Sequence, residues 1–140
     1  SRGLGDVYKR QNNFSAFAVL DAPFDFETLV REELIYQGFS ELLWTPLYHY
    51  VLIFEGINLL ANNPEDSLKA GNKQPILIFN GMDNDRVLPH HTDDLIDSAT
   101  EIGIELEINR YEELGHTRVL YDYPKEFSIK LVQFFSRHLN

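Results

Sequence analysis

The residues that could carry chemistry are concentrated in three polar loops, each of which follows a short apolar run. The loops are DAPFDF (21–26), NGMDNDRVLPHH (80–91) and EELGHTR (112–118). They contain aspartates, asparagines and three of the five histidines of the chain, which can exchange protons or donate hydrogen bonds. The chain has no cysteine, so a thiolate nucleophile, a thiolate metal site and a disulfide are excluded.

The apolar runs before these loops predict three buried strands. The predicted strands are FSAFAVLDAP (14–23), QPILIFNG (74–81) and IELEINRYEE (104–113). Helical patterns are predicted at 25–39, 64–70, 89–103 and 123–139, with one or two further helices within 42–61. This alternation of strand and helix indicates the α/β class, with about three parallel strands and helices on both faces. Catalytic groups in such sheets gather beyond the carboxyl ends of the strands, where the three loops lie.

Several residues are predicted to mark the ends of these helices. Asp25 is expected to cap the helix at 25–39, and Thr92 the helix at 89–103. Pro124 belongs in the first turn of the last helix. His90 and His91 open the helix at 89–103 and are expected to face solvent.

Composition restricts the class of partner. The formal net charge of the 140 residues is -10, and the acidic residues are scattered along the chain. A nucleic-acid backbone or an anionic lipid surface is bound through a basic patch, so neither partner is expected. The most apolar stretch, residues 42–61, is interrupted by Pro46, His49, Glu55 and Gly56, and it is therefore not expected to cross a membrane.

The first eleven residues lack hydrophobic periodicity and are expected to be foreign to the natural protein. Residues 6–11, DVYKRQ, resemble the translation of a transposon mosaic-end adapter used in preparing sequencing libraries. We therefore interpret residues 1–11 as a non-native tail of a short assembled fragment. The natural sequence would begin near Asn12, already within a domain. A natural polar tail is the alternative interpretation.

Two segments together resemble the α/β-hydrolase superfamily. QPILIFNGMDNDRVLP (74–89) is similar to the strand and acid loop of that family, usually written as P, a hydrophobic run, then H-G-x-x-D-x-x-V-P. YEELGHTRVL (111–120) is similar to the loop that presents the catalytic histidine after a glycine. The resemblance covers residues 14–140 and is to the serine esterases and peptidases. It implies that residues 12–140 are the C-terminal fragment of one α/β-hydrolase domain, with a helical lid inserted at about 24–73.

The resemblance implies a catalytic role for His116. In this family the nucleophile, the acid and the base follow one another as Ser, Asp and His. His116 would then take the proton from a serine hydroxyl and later return it to the leaving group. A histidine in a surface turn is the alternative interpretation.

The acid position has three candidates within one loop. Counting three residues from Gly81 reaches Asn84, whereas aligning DRVLP with D-x-x-V-P selects Asp85. We predict Asp85, with Asp83 as the second choice. Asn84 in that position would deprive the histidine of its charge partner, and in trypsin-type enzymes such a change lowers kcat by about four orders of magnitude. Asp21 lies where some family members place their acid.

Part of the expected machinery is not in the chain, since no G-x-S-x-G motif occurs in it. The family places that motif and the first oxyanion loop upstream of the strand at 14–23. The same truncation would leave the outer edge of that strand open. Apolar residues of the lid are expected to pack against the domain or to roof an apolar pocket. They are Leu42, Leu43, Trp44, Leu47, Tyr48, Tyr50, Val51, Ile53 and Phe54.

The predicted function is hydrolysis of an ester, or of an amide or peptide bond, through an acyl-enzyme. The substrate would be a small ester or peptide-like molecule, and neither a cofactor nor a metal ion is required. The chain itself, without the nucleophile, is expected to be inactive. A non-catalytic binding protein of the same fold is the alternative, and Asn84 at the counted acid position is the feature that favours it.

Overall fold

Three parallel strands form the sheet of the protein. The computed structural model describes residues 15–61 and 63–139, so the predicted tail at 1–11 lies outside the described residues. The strands are β1 (Phe17–Leu20), β2 (Ile76–Gly81) and β3 (Leu106–Tyr111). β2 is central, and it pairs in parallel with β1 through Phe17 and Ile76 and with β3 through Ile76 and Leu106. The predicted α/β class and the parallel strands are confirmed.

Six α-helices connect or follow the strands in the described part of the chain. They are α1 (Phe26–Tyr36), α2 (Trp44–Phe54), α3 (Pro64–Ala70), α4 (His90–Glu101), α5 (Val119–Asp122) and α6 (Pro124–His138). A 3-10 turn at Glu41–Leu43 precedes α2. The short helix α5 lies between the histidine loop and the last helix and was not predicted. It has four residues, a single turn, which is too short to show a helical periodicity. The other helices lie where the apolar periodicity predicted them.

Helices cover both faces of the sheet, as the strand–helix alternation predicts. On one face, Ile76 and Ile78 of β2 pack against Leu95 and Ala99 of α4. On the other face, Leu77 and Phe79 of β2 pack in a cluster with buried side chains of α5 and α6. Every residue of β2 is buried, since successive side chains point to opposite faces and both faces are covered.

The helix ends agree with the sequence at α1 and α6 but not at α4. The Asp25 carboxylate accepts a hydrogen bond from the Thr28 N–H at 2.8 Å and so caps α1, and Pro124 occupies the first turn of α6. The prediction that Thr92 caps α4 is wrong. α4 begins at His90, two residues before Thr92, so Thr92 lies inside the first turn and is buried.

Most of the apolar side chains of residues 42–54 are exposed, which contradicts the expectation that they pack against the domain. Trp44 is buried, but Leu42, Ile53 and Phe54 are 76%, 68% and 72% exposed. α2 therefore presents an uncovered apolar face. No helix in the described residues is both long enough and apolar enough to span a bilayer.

Candidate active site

The three predicted loops meet at one edge of the sheet, because the carboxyl ends of the parallel strands lie together there. Two of the loops are in van der Waals contact at Gly81, the last residue of β2. A Cβ at Gly81 would lie 2.3 Å from the Leu114 carbonyl oxygen and 2.8 Å from that of Gly115. The Asp83 N–H donates to the same Leu114 carbonyl at 3.1 Å. Glycine at position 81 therefore allows the acid loop to reach the histidine loop.

His116 and Asn84 are in hydrogen-bond contact. The Asn84 Nδ2 lies 3.2 Å from the His116 Nδ1, and Asn84 is buried whereas His116 is partly exposed. The Asn84 Oδ1 accepts hydrogen bonds from the backbone N–H groups of Arg86 and Val87, each at 3.0 Å. These two bonds orient the amide, because only its oxygen can accept them.

The orientation of the Asn84 amide determines the tautomer of His116. The Nδ2 group can only donate, so the His116 Nδ1 is the acceptor and carries no proton. In the neutral ring the proton is then on Nε2. A histidine that removes a proton from a nucleophile through Nε2 needs the opposite tautomer, with its Nδ1–H held by a carboxylate.

Asp85, the predicted acid, does not occupy the position beside His116. Asp85 is exposed and lines a groove with Glu32, Glu33 and Arg86, and the structure contains no hydrogen bond or ion pair between its side chain and His116. Asp83 is exposed as well. The side chain that contacts His116 is therefore Asn84 and not the predicted Asp85, and relative to the family pattern the extra residue of the loop follows Val87.

A signal for this placement was present in the sequence. Val87 follows Asn84 by three residues, as the valine follows the acid in D-x-x-V, and Asn84 follows Gly81 by the three residues of G-x-x-D. Both Asn84 and Val87 are buried, whereas Leu88, the residue between Val87 and Pro89, is exposed. The buried pair, and not the proline, defines the register of the loop.

Asp21 is a second buried carboxylate at this edge. It is 3% exposed, and its side chain accepts hydrogen bonds from the backbone N–H groups of Gly81 and Thr117 at 2.8 and 2.7 Å. From the sequence, Asp21 was only an alternative candidate for the acid. Its position directly after β1 places it between the ends of all three strands, where its carboxylate bonds Asn80, Gly81 and Thr117 and makes no hydrogen bond to the His116 imidazole.

A cleft of about 440 Å³ borders His116. Its apolar wall comes from Leu29 and Val30 of α1 and from Val87, and its charged wall from Glu33 and Arg86. The Arg86 guanidinium pairs with the Glu33 carboxylate at 3.1 Å. The helical residues that line the cleft thus belong to α1, and none of them comes from residues 42–54.

A separate cluster joins α1 to the beginning of α4. His90 and His91 each place Nε2 against one oxygen of the Glu32 carboxylate, with the His91 contact at 3.1 Å. His91 is completely buried, so the prediction that it faces solvent is wrong. Partial burial opposes the charged form of His90, but its hydrogen bonds to Glu32 and Asp94 outweigh that cost and raise its pKa above 6.5.

This cluster contains the side-chain types of a metal site, but its hydrogen bonds do not suit a metal. Its three ligand atoms lie within 4.8 Å of one another. The His91 Nδ1 accepts the Phe24 N–H at 3.3 Å, so the neutral ring of His91 keeps its proton on Nε2, the atom that would have to bind the metal. The positive end of the α4 dipole also opposes a cation there and favours the Glu32 carboxylate. The cluster is therefore a carboxylate held by two histidines.

Comparison with known proteins identifies the fold. No family model matches the sequence, and no curated protein matches it either. Among solved structures, the Pyrococcus furiosus esterase Pf2001 superposes with a TM-score of 0.61 at 16% identity, over 96% of this chain and 49% of the esterase. The fold is that of the α/β hydrolases.

Two further α/β hydrolases support this assignment. The Pyrococcus horikoshii acylaminoacyl peptidase matches 94% of this chain and 21% of its own, with a TM-score of 0.62 and 18% identity. MGS-MChE2, an α/β hydrolase enzyme from the metagenome of lagoon sediments at Mar Chica, Morocco, matches 94% of this chain and 54% of its own, with a TM-score of 0.54 and 14% identity. The chain spans about half the length of the esterase, and the α/β-hydrolase resemblance derived from the sequence is confirmed.

Proposed function

We propose that this chain is the C-terminal fragment of a serine hydrolase that cleaves an ester, amide or peptide bond through an acyl-enzyme. The observation that carries the proposal is the contact of the His116 imidazole with the acid-loop side chain Asn84, at the carboxyl edge of an α/β-hydrolase sheet. His116 is the proposed base, and its Nε2 would exchange the proton of the nucleophile and the leaving group from the tautomer that carries its proton on Nδ1. The donation from Asn84 disfavours that tautomer, so the proposed activity is lower than that of a site with an aspartate at position 84.

The cleft beside His116 supports a substrate with an apolar acyl or side-chain group. Leu29, Val30 and Val87 line it on one side, and burial of apolar substrate atoms against them would contribute binding energy. The Glu33–Arg86 pair forms the polar margin and can orient a carbonyl or amide group. The proposed chemistry uses a serine and a histidine and needs neither a cofactor nor a metal ion.

The proposed nucleophile belongs to sequence that precedes Asn12 in the parent protein. The chain contains no G-x-S-x-G motif. A serine in that motif would stand on a strand-to-helix turn and would attack the substrate carbonyl after giving its proton to His116. The 140 residues alone are then expected to hydrolyse no p-nitrophenyl ester above the rate of the buffer.

The decisive experiment recovers the parent gene from the source of the sequence and assays its product. We expect a G-x-S-x-G motif upstream, hydrolysis of p-nitrophenyl butyrate, and loss of that activity in the His116→Ala variant and in the variant that replaces the motif serine with alanine. A matched control is His49→Ala, because the His49 ring contacts the Thr45 carbonyl of its own helix, away from the loop edge. Hydrolysis that survives His116→Ala would refute the proposed role of His116.

A non-catalytic binding protein is the second candidate, and Asn84 is the observation that favours it. An amide in place of a carboxylate leaves the imidazolium without a charge partner and favours the unproductive tautomer. The two candidates make different predictions for the upstream sequence. A G-x-S-x-G motif supports the hydrolase, and its replacement by a motif without serine supports the binding protein.

A further inference from the structure

The Asp21 carboxylate lies where the ends of the three strands meet. Its Oδ1 accepts the Gly81 N–H at 2.8 Å and the Asn80 Nδ2 at 3.2 Å, both from the end of β2. Its Oδ2 accepts the Thr117 N–H at 2.7 Å, from the loop after β3. Asp21 itself follows β1 and is 3% exposed. One side chain therefore connects the loop of Asn84 to the loop of His116.

These contacts require a carboxylate. Both oxygens face donors, and an ionised carboxylate accepts on both sides, whereas an amide offers one acceptor and one donor. Bonds from N–H groups to a charged acceptor are stronger than bonds between neutral groups. Asn80 is informative here, because its Nδ2 donates to Asp21 while its buried Oδ1 has no hydrogen-bond partner within the described residues. The Asn80 amide is thus oriented by the carboxylate.

Two backbone conformations at this junction are strained. Asp21 has a φ of 42°, and Thr117 has a φ of 56°, a region that a β-branched residue rarely adopts. Such conformations persist only where the surrounding structure holds them in place. The Thr117 N–H belongs to the peptide that joins His116 to Thr117. Its bond to Asp21 therefore holds the backbone immediately beside the imidazole.

We propose that Asp21 is a positioning residue for the His116–Asn84 contact. Asp21 makes no hydrogen bond to the His116 ring or to the Asn84 amide. It sets the distance between their two loops through the Gly81 and Thr117 N–H groups. The consequence for catalysis rests on the proposed function, since it requires His116 to be the base. The effect on geometry does not depend on that function and can be measured on the 140-residue chain.

The test compares Asp21→Asn with Asp25→Asn in chain labelled with ¹³C and ¹⁵N. Asp25 lies in the same loop and its substitution makes the same change of charge, but its carboxylate bonds Thr28 and Asn63 and caps α1. In Asp21→Asn we expect amide exchange at Thr117 to accelerate by roughly ten- to a hundredfold. We also expect the His116 ring ¹⁵N signals and the Asn84 side-chain amide signals to move. Asp25→Asn should destabilise α1 and leave those signals in place.

Two results would overturn the proposal. One is an Asp21→Asn variant that keeps the wild-type signals of His116 and Asn84. The other is an Asp25→Asn variant that moves them as far, since the effect would then reflect general loss of stability. If Asp21→Asn does not fold, the wild type decides the question through the scalar coupling across the hydrogen bond between the Thr117 nitrogen and the Asp21 carboxyl carbon. Absence of that coupling refutes the proposal.

Kinetics of the serine-containing parent separate this inference from the proposed function. We expect Asp21→Asn to lower kcat and leave KM nearly unchanged, because a misplaced base affects the transition state more than substrate binding. Asp25→Asn should leave kcat unchanged and act only on KM, because the helix that Asp25 caps forms the apolar wall of the cleft. If the His116 signals respond as expected but the parent hydrolyses no ester or amide, the proposed function fails while the positioning role of Asp21 stands.

Discussion

At the scale of single residues, the site depends on the difference between one amide and one carboxylate. Asn84 donates a hydrogen bond to the His116 Nδ1, whereas an aspartate in the same place would accept a hydrogen bond from an Nδ1–H. The side chains are nearly the same size, so the exchange alters the tautomer and charge of the site with little effect on packing. The identity of residue 84 therefore decides which ring nitrogen of His116 carries the proton in the neutral form.

Asn84→Asp is expected to reverse the tautomer. The new carboxylate would accept a hydrogen bond from the Nδ1–H of His116, so the proton of the neutral ring would move from Nε2 to Nδ1. The ¹⁵N shifts of the two His116 ring nitrogens, recorded at one pH for both proteins, measure this change. Asp85→Asn is the matched control and should leave the ring unaffected. A ring that keeps its proton on Nε2 in Asn84→Asp would contradict this assignment.

In the parent protein, Asn84→Asp should also raise kcat, by up to about four orders of magnitude if the effect equals that of the reverse change in trypsin-type enzymes. A parent that contains the motif serine but gains no activity would indicate that Asn84 is not in the acid position.

At the scale of secondary-structure elements, the link between α1 and α4 consists of charged and titratable groups. Glu32 of α1 is held by His90 and His91 of α4, and Glu33 of α1 is held by Arg86 of the acid loop. α1 also forms the apolar wall of the cleft beside His116. The protonation of His90 is therefore coupled to the attachment of the helix that borders the cleft.

The His90 pKa predicts how this link depends on pH. The folded-state pKa is raised above 6.5, so the folded protein binds the proton more tightly than the unfolded chain. The resulting stability is fully present below about pH 6.5 and is lost as the pH rises through the raised pKa. Urea unfolding of wild type and Glu32→Gln between pH 5 and 9 measures it. The difference in unfolding free energy should shrink across that interval.

Glu33→Gln is the control for this experiment, because its partner Arg86 stays charged throughout the interval. Its destabilisation should be independent of pH. A constant difference between wild type and Glu32→Gln would show that His90 does not contribute through its proton.

The second feature at the element scale is the outer edge of β1. In the described residues β1 pairs only with β2, and the N–H groups of Phe17 and Asp21 donate towards that strand. Alternation along a strand turns the N–H groups of Ala18 and Leu20 to the opposite side. An apolar groove of about 350 Å³ runs along the same strand and includes Phe17 and Val19 in its lining.

Hydrogen exchange should show this alternation in the monomeric chain. The amides of Ala18 and Leu20 are expected to exchange far faster than those of Phe17 and Asp21, because no strand within residues 15–61 and 63–139 pairs with that side of β1. Consecutive amides of β2 are the internal control and should all be protected, since that strand has neighbours on both sides. Strong protection of Ala18 and Leu20 in a chain shown to be monomeric would contradict an open edge.

At the scale of the whole molecule, the chain spans about half the length of the Pyrococcus furiosus esterase to which its fold is similar. Its central strand, β2, is buried on both faces, whereas β1 and the apolar face of α2 are only partly covered. Exposed apolar side chains lie on α2 and also on α6, where Ile129 and Val132 are more than half exposed, so part of the apolar content of 44% lies outside the buried core.

The sequence by itself determined the strands, the main helices and the edge at which the polar loops meet. Those features follow from local periodicity and from the rule that parallel strands share one carboxyl edge. The cap of α1 by Asp25 could also be predicted, because it is a local interaction: its partner Thr28 lies only three residues away.

Only the tertiary structure decided which of Asp83, Asn84 and Asp85 faces His116. The choice depends on the Arg86 and Val87 N–H groups that hold Asn84 and on a loop 32 residues further along the chain. The burial of His91 and the three hydrogen bonds that Asp21 accepts likewise depend on partners that are distant in sequence. Asp21 and Thr117, for example, are 96 positions apart. Local patterns gave two answers for the acid loop, since the spacing from Gly81 selects Asn84 and the spacing from Pro89 selects Asp85. A one-residue shift in a loop leaves composition and periodicity unchanged and alters every side-chain partner.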